Sequence, residues 1–420
     1  MDPVMHDPKR TLRKILAVLF ISQSLYRAGM IIIFTVGSIL VVQMAGGNSR
    51  WTGVPTTLQV IGAAFFAIPM GRLMDRIGRR NGLSLGFLIG IGGTTLAGIG
   101  AITGSLGVFL FAAFIIGLAR ATLDMGRYAA AEASPAERRG RSISIVIFGG
   151  AIGSVIGPLI IALANNVGMR WDLPDLSGPW FLASAIFSLA FVILFLGLRP
   201  DPKRIARQLR MQADIEPIAQ QERRKLSVIF RDPRAILAIG AMVFGTLAMV
   251  LVMVITPIHM TDLGHPLGTI SLVIMAHTLG MFGLSFLTGW MVDKFGRVPV
   301  IAAGGLTLIA ACVIAPLGTS VFTLGLALFL LGLGWNFCYV AGSALLDDIL
   351  TTHEKGSIQG STEALINLAS GVGSLGSGFI FSSVGFLAMS WGTILIAIIP
   401  LFLALRWGLK RQSYPNGKPA

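Results

Sequence analysis

Arg120, Asp124 and Arg127 fall at i, i+4 and i+7 in the stretch GLARATLDMGRYAAAE, a spacing that puts three side chains on one face of a helix. One carboxylate among guanidinium groups can do two kinds of chemistry. It can take up and release a proton, its proton affinity set by the opposed effects of burial and neighbouring positive charge. Alternatively, arginines in excess over the acid can hold an anion through paired hydrogen bonds. A further arginine, Arg27, lies in ISQSLYRAGMIIIF, next to Tyr26 and one turn after Gln23.

The elements that must position these charges read as membrane helices. The 420-residue chain is 54% hydrophobic and only 12% charged, about half the charge of a soluble protein. Apolar stretches long enough to cross a bilayer occur at 15–42, 54–73, 82–102, 107–130, 142–164 and 179–198. A second set follows at 235–257, 268–291, 298–317, 321–345, 360–383 and 386–407. The expected fold is therefore an all-α membrane protein of twelve transmembrane helices, arranged as two six-helix bundles. The bundles are expected at 1–198 and 235–420, with a cytoplasmic linker at 199–234. That linker, beginning RPDPKRIARQLR, invites an amphipathic helix whose basic residues are drawn to anionic headgroups.

The net charge of +14 is not spread as a nucleic-acid-binding surface would need. It collects at Lys9–Lys14, Arg72–Arg80, Arg138–Arg141, Arg199–Arg234, Lys294–Arg297 and the C-terminal tail. The alternate connections carry little beyond Arg50 and Arg170. This positive-inside pattern predicts both termini on the cytoplasmic side of a prokaryotic inner membrane, with no nucleic-acid partner. The polar start and a first apolar stretch too long for an h-region predict no cleavable signal peptide. Cys312 and Cys338 lie in apolar runs and read as buried thiols, with no metal or disulfide. GVGSLG at 371–376 matches a dinucleotide fingerprint but sits inside an apolar helix without a preceding strand, so helix packing explains it. With no phosphate loop, metal cluster or nucleophile–base constellation, neither an enzyme nor a cofactor is expected.

The two halves repeat. GRLMDRIGRR at 71–80 has its copy in GWMVDKFGRVPV at 289–300, with Asp75 and Asp293 218 residues apart; Gly126 and Gly140 recur 216 residues on, at Gly342 and Gly356. Such repeats place a substrate path near the midplane. The first loop, with Gly71, Asp75, Gly78, Arg79 and Arg80, resembles the signature loop of the major facilitator superfamily; its copy keeps Gly289, Asp293, Gly296 and Arg297. The resemblance covers the whole chain and implies alternating access by a monomer in the lipid bilayer. It further implies a cytoplasmic gate in which Arg76, Arg79 or Arg80 meets a carboxylate such as Asp348 or Glu363, with Arg127 nearby.

Charges inside spans are costly and face a bundle interior or a wet cavity. Arg27 lies 13 residues past Lys14, about 20 Å along the axis, beyond rescue by snorkelling. Arg27, Arg120 and Asp124 are thus expected in one buried cluster. At the repeat offset, Arg120 and Asp124 correspond to Asn336 and Val340, so the six-helix unit does not itself require these charges. Two mechanisms remain open: Asp124 as the proton carrier of an exporter of small amphipathic or drug-like molecules, or the arginines as the binding site of a small organic anion. A third class is a sensor or scaffold that moves nothing. Gly153, Gly157 and Pro158 in GGAIGSVIGP resemble the fifth-helix motif of drug/proton antiporters, although LIIA follows where that motif has two glycines. His277, Asn336 and Tyr339 are second-half cavity candidates, the histidine because it titrates near neutral pH.

Overall fold

The computed structural model describes residues 8–135, 138–212, 226–229, 231–350 and 352–413. Within them the regular structure is helical throughout, and eleven helical segments are long and apolar enough to cross a membrane. The last of these, Gly360–Trp407, contains Gly385 at φ 75° and ψ 177°. Only glycine adopts that backbone without strain, and it separates the predicted spans 360–383 and 386–407. The twelve predicted spans are therefore all present.

The chain forms two compact units, Met1–Gly47 with Val54–Ile218, and Asn48–Gly53 with Ala219–Ala420. In the first, α1 (Pro8–Met44) packs against α6 (Arg139–Arg170) and α7 (Gly178–Gly197). There α3 (Arg79–Thr103) packs against both α4 (Leu106–Leu123) and α7, and α2 (Val54–Ile77) lies on α4. A short α5 (Gly126–Glu132) completes the fourth span, and α8 (Pro202–Gln212) follows α7.

In the second unit, the four-residue α9 (Leu226–Ile229) precedes α10 (Pro233–Asp262), and Ile229 joins a buried cluster with Ala238, Met242, Leu346 and Ile366. The eighth span is α11 (Leu267–Thr278), a π-helical turn (Leu279–Gly283) and α12 (Ser285–Phe295); α13 (Arg297–Ile314), α14 (Val321–Ile349) and α15 (Thr352–Ser413) follow. Here α10 packs against α14 and α15, and α13 against the same two. The linker expected over 199–234 thus contributes α8 to the first unit and α9 to the second, while 213–225 lie outside the described residues.

Glycine rows set the closest helix approach. Gly149, Gly153 and Gly157 on α6 face Phe20, Ser24 and Ala28 on α1, both rows at i, i+4, i+8. A Cβ at Gly153 would overlap the Ser24 carbonyl, and the Ser24 hydroxyl donates across the seam to the Gly149 carbonyl at 2.6 Å. The antiporter-like motif therefore serves α1–α6 contact. Pro158 lies within α6, which runs on through it to Arg170.

Candidate functional site

Asp124 sits at the break between α4 and α5. Its own N–H bonds the Arg120 carbonyl at 3.0 Å, but Met125 and Tyr128 bond three residues back, to Thr122 and Met125. The fourth span is continuous in the sequence reading; in the structure it tightens here to i, i+3 bonding, placing the carboxylate at an irregular turn. Asp124 Oδ1 accepts from the Tyr26 hydroxyl at 3.0 Å and from Arg27 Nη2 at 3.1 Å. Arg120 Nε lies 3.6 Å from Asp124 Oδ2. Tyr26 is fully buried, its ring beside Phe187 of α7, so α7 holds the ring while the hydroxyl points at the acid. The Arg27 and Asp124 side chains remain 40% and 34% exposed, so the cluster opens onto accessible space.

Arg27 owes its course to α6. A Cβ at Gly150 would lie 3.0 Å from Arg27 Cγ and 3.5 Å from Gln23 Cγ, so the missing side chain leaves room for both stems. Gln23 also borders Gly126, whose Cβ would come within 3.2 Å of Gln23 Oε1. Arg127 donates to the Tyr128 hydroxyl at 3.2 Å and covers that ring.

The second-half candidates divide. His277 is buried, with Nδ1 donating to the Leu328 carbonyl at 2.9 Å, which ties α11 to α14. Asn336 donates to the Met281 carbonyl at 2.6 Å and to Ser285 Oγ at 2.9 Å, and accepts from Thr288 Oγ1. The Met281 carbonyl lies in the π-helical turn, so Asn336 clasps the eighth span there, where its repeat counterpart Arg120 contacts an acid. Tyr339 instead donates to Glu363 Oε1 at 2.7 Å and stacks on Trp335, with centroids 4.9 Å apart and an interplanar angle of 23°. Trp335 Nε1 donates to Thr246 Oγ1 at 2.9 Å. Trp335 and Thr246 escaped the sequence reading, although Trp335 stands one turn before Tyr339. Glu363, read as a gate residue, belongs to this aromatic wall.

Arg79, Arg80 and Arg297 of the repeated loops have partners in their own unit. Arg79 pairs with both oxygens of Glu132, at 2.9 Å for Nε–Oε2, and lies 3.3 Å from Asp75. Arg297 pairs with Asp348 at 2.9 Å. Arg79 and Arg297 are 218 residues apart, and Glu132 and Asp348 are 216 apart, so one ion pair is built twice. The repeat offset applied to Asp348 would have found Glu132. Asp201, also missed, accepts from the backbone N–H groups of Arg79 (3.3 Å) and Arg80 (2.9 Å), capping α3. Arg80 itself donates to the Phe195 carbonyl at 2.8 Å; Arg76 and Asp293 are exposed, and Gly71 lies near Met125. A double-mutant cycle on Arg79–Glu132 should give about 1–3 kcal/mol of coupling. The more exposed Arg297–Asp348 pair should give about 0.2–1 kcal/mol. Equal couplings would contradict the burial argument.

Gly78 and Gly296 adopt the same rare backbone, φ 88° and ψ 168° against φ 89° and ψ 167°. Alanine at either position should cost about 1–3 kcal/mol from strain. Gly78→Ala should cost more, because its Cβ would also approach Asp201 Oδ2 to 2.5 Å, whereas the nearest atom at Gly296 is 4.0 Å away. Thermal midpoints of the two variants test this, and a smaller loss for Gly78→Ala would refute it.

Among the described residues no three His, Cys, Asp or Glu side chains converge as metal ligands, and Cys312 and Cys338 are free, buried thiols. The chain matches the sequence profile described as Major Facilitator Superfamily over residues 19–266 and 237–420. It is 36% identical over 397 residues to "Uncharacterized MFS-type transporter YdeG" of Bacillus subtilis strain 168, covering 94% of this chain and 92% of that protein. Against the riboflavin transporter RfnT of Brucella anthropi it is 28% identical over 403 residues, covering 94% and 96%. A crystal structure of a D-xylose-proton symporter superposes with a TM-score of 0.72 at 18% identity, covering 94% of this chain and 96% of that one.

Proposed function

Since the chain belongs to the major facilitator superfamily, we propose that it is a proton-coupled secondary transporter that exports small amphipathic or drug-like molecules by alternating access. It works as a monomer in the cytoplasmic membrane of a bacterium, with both termini on the cytoplasmic side. The observation that carries this reading is the placement of Asp124. It is a partly exposed carboxylate on a helix break, held by Tyr26 and Arg27 and flanked by Arg120. A group so placed exchanges protons with the accessible space, and binding of solute or proton alters its balance with the arginines. The stacked Trp335–Tyr339 pair suits a solute with a flat apolar part, a description that riboflavin, named for one relative, also meets. The fifth-helix glycines support export through the motif they resemble.

A second reading is carriage of a small organic anion. The excess of arginines over acid, with Arg27 40% exposed, favours it. Flux into proteoliposomes under an imposed pH gradient separates the two, with riboflavin as the uncharged aromatic probe and a carboxylated dye as the anionic one. Proton-driven movement that requires Asp124 supports the first reading. Selective loss of the anionic probe in Arg27→Ala transfers the assignment to the second. Gradient-independent leakage identical to empty vesicles would reject both.

A further inference from the structure

Arg76, Arg80, Arg199, Lys203, Arg204 and Arg207 line one open cavity of about 780 Å³ in the first unit, together with Ile77, Gly78, Asn81 and Asp201. Its walls are the turn between α2 and α3 and the start of α8. Asp201 is the only acidic residue in the lining, and its oxygens already accept from the backbone of Arg79, Arg80 and Lys203. Arg80 is spent on the Phe195 carbonyl and ring, and Lys203 donates to the Asp75 carbonyl. No hydrogen bond or ion pair reaches the side chains of Arg76, Arg199, Arg204 or Arg207 among the described residues. Four guanidinium groups around one space repel each other until an anion enters.

Topology accounts for basic residues at this end of the spans, but not for their convergence on a cavity. The repeated loop shows the contrast: Arg297 is paired with Asp348, and Lys294 lies over the Trp290 ring.

We propose that this cavity is a discrete binding site for a phosphate-bearing anion. Guanidinium forks match phosphate oxygens in pairs. The surroundings favour the headgroup of an anionic phospholipid as the source. Ile77, Phe195 and Leu196 are 38%, 36% and 60% exposed at the ends of α2 and α7, and offer apolar surface to the acyl chains. A zwitterionic headgroup would bring its own ammonium into a cationic cavity. The bound phosphate ties α8 to the turn at Gly78, and so supports the Arg79–Glu132 pair next to it.

The test uses the full-length protein in neutral detergent, titrated with phosphatidylglycerol, phosphatidylcholine or inorganic pyrophosphate. Thermal midpoint and lipid retention by native mass spectrometry are read together. Phosphatidylglycerol should raise the midpoint saturably, with one tightly retained lipid, and phosphatidylcholine should not. Arg204→Gln with Arg207→Gln should weaken that binding about tenfold or more, the loss expected for two charge-assisted contacts. The exposed pair Arg138→Gln with Arg141→Gln should bind as the wild type does, and each variant's midpoint without lipid reports whether it has folded. If pyrophosphate gives the same shift and displaces the lipid, the phosphate site stands with a soluble source. Equal stabilisation by the two lipids, or equal loss in both arginine-pair variants, overturns the proposal.

Discussion

Asp124→Asn should lower flux driven by an imposed pH gradient by about tenfold or more, equivalent to about 1.4 kcal/mol or more in the coupled step. The substitution is close to isosteric. The amide oxygen still accepts from the Tyr26 hydroxyl and Arg27, which meet Asp124 Oδ1 at 3.0 and 3.1 Å, so the α1–α4 contact persists. What disappears is the group that can gain and lose a proton. Arg27 and Arg120 then face the accessible space without their shared acid, a state unchanged across the working pH range because arginine stays protonated. Exchange of solute without a gradient should survive better than gradient-driven flux, since it requires no net proton movement. Unaltered gradient-driven flux in a folded Asp124→Asn protein would remove Asp124 from the coupling step.

The second large effect is expected from Gly153→Leu, which should lower stability by about 3 kcal/mol, the upper end of ordinary overpacking, or more. Helices in lipid gain little from burying apolar surface against each other, and hold together through close contact of small residues. At Gly153 the opposing atoms are the Ser24 backbone, which cannot swing aside as a side-chain tip does. A leucine therefore has to push α1 away from α6. That movement also displaces Arg27, whose stem runs past Gly150 on the same seam. The variant should lose thermal midpoint in detergent and transport together. Gly92→Ala is the matched control, because nothing lies within 4 Å of its Cβ position; its midpoint should be unchanged or higher. A wild-type midpoint in Gly153→Leu would mean that the seam is loose and the glycine row incidental.

Much of the architecture was readable from local properties. The length of the apolar runs marked twelve spans, the repeat of the 71–80 loop at 289–300 marked two halves, and the depth of Arg27 pointed it at the charges near position 120. Each of these inferences uses periodicity or distance along one helix, which the covalent chain already specifies. The cluster of Arg27, Arg120 and Asp124 was legible for the same reason: charges in separate apolar helices have few low-cost places other than beside one another.

Partner choice was not legible, because it depends on which helices become neighbours and on how far each is rotated about its axis. Arg79 meets Glu132, 53 residues away, whereas the sequence pointed to Asp348 and Glu363 as the acids. Tyr339 and Glu363 looked like members of different sites, and a 2.7 Å hydrogen bond joins them. Asn336 reads as a cavity residue, yet its amide binds the Met281 carbonyl within the π-helical turn. The glycine seam under Arg27 likewise comes from packing between segments more than a hundred residues apart. Hydropathy and spacing along the chain thus set the number of helices and the depth of the charges. The contacts between helices set which charge each residue meets, because hydrogen bonds at about 3 Å respond to small rotations that no property of a single helix encodes.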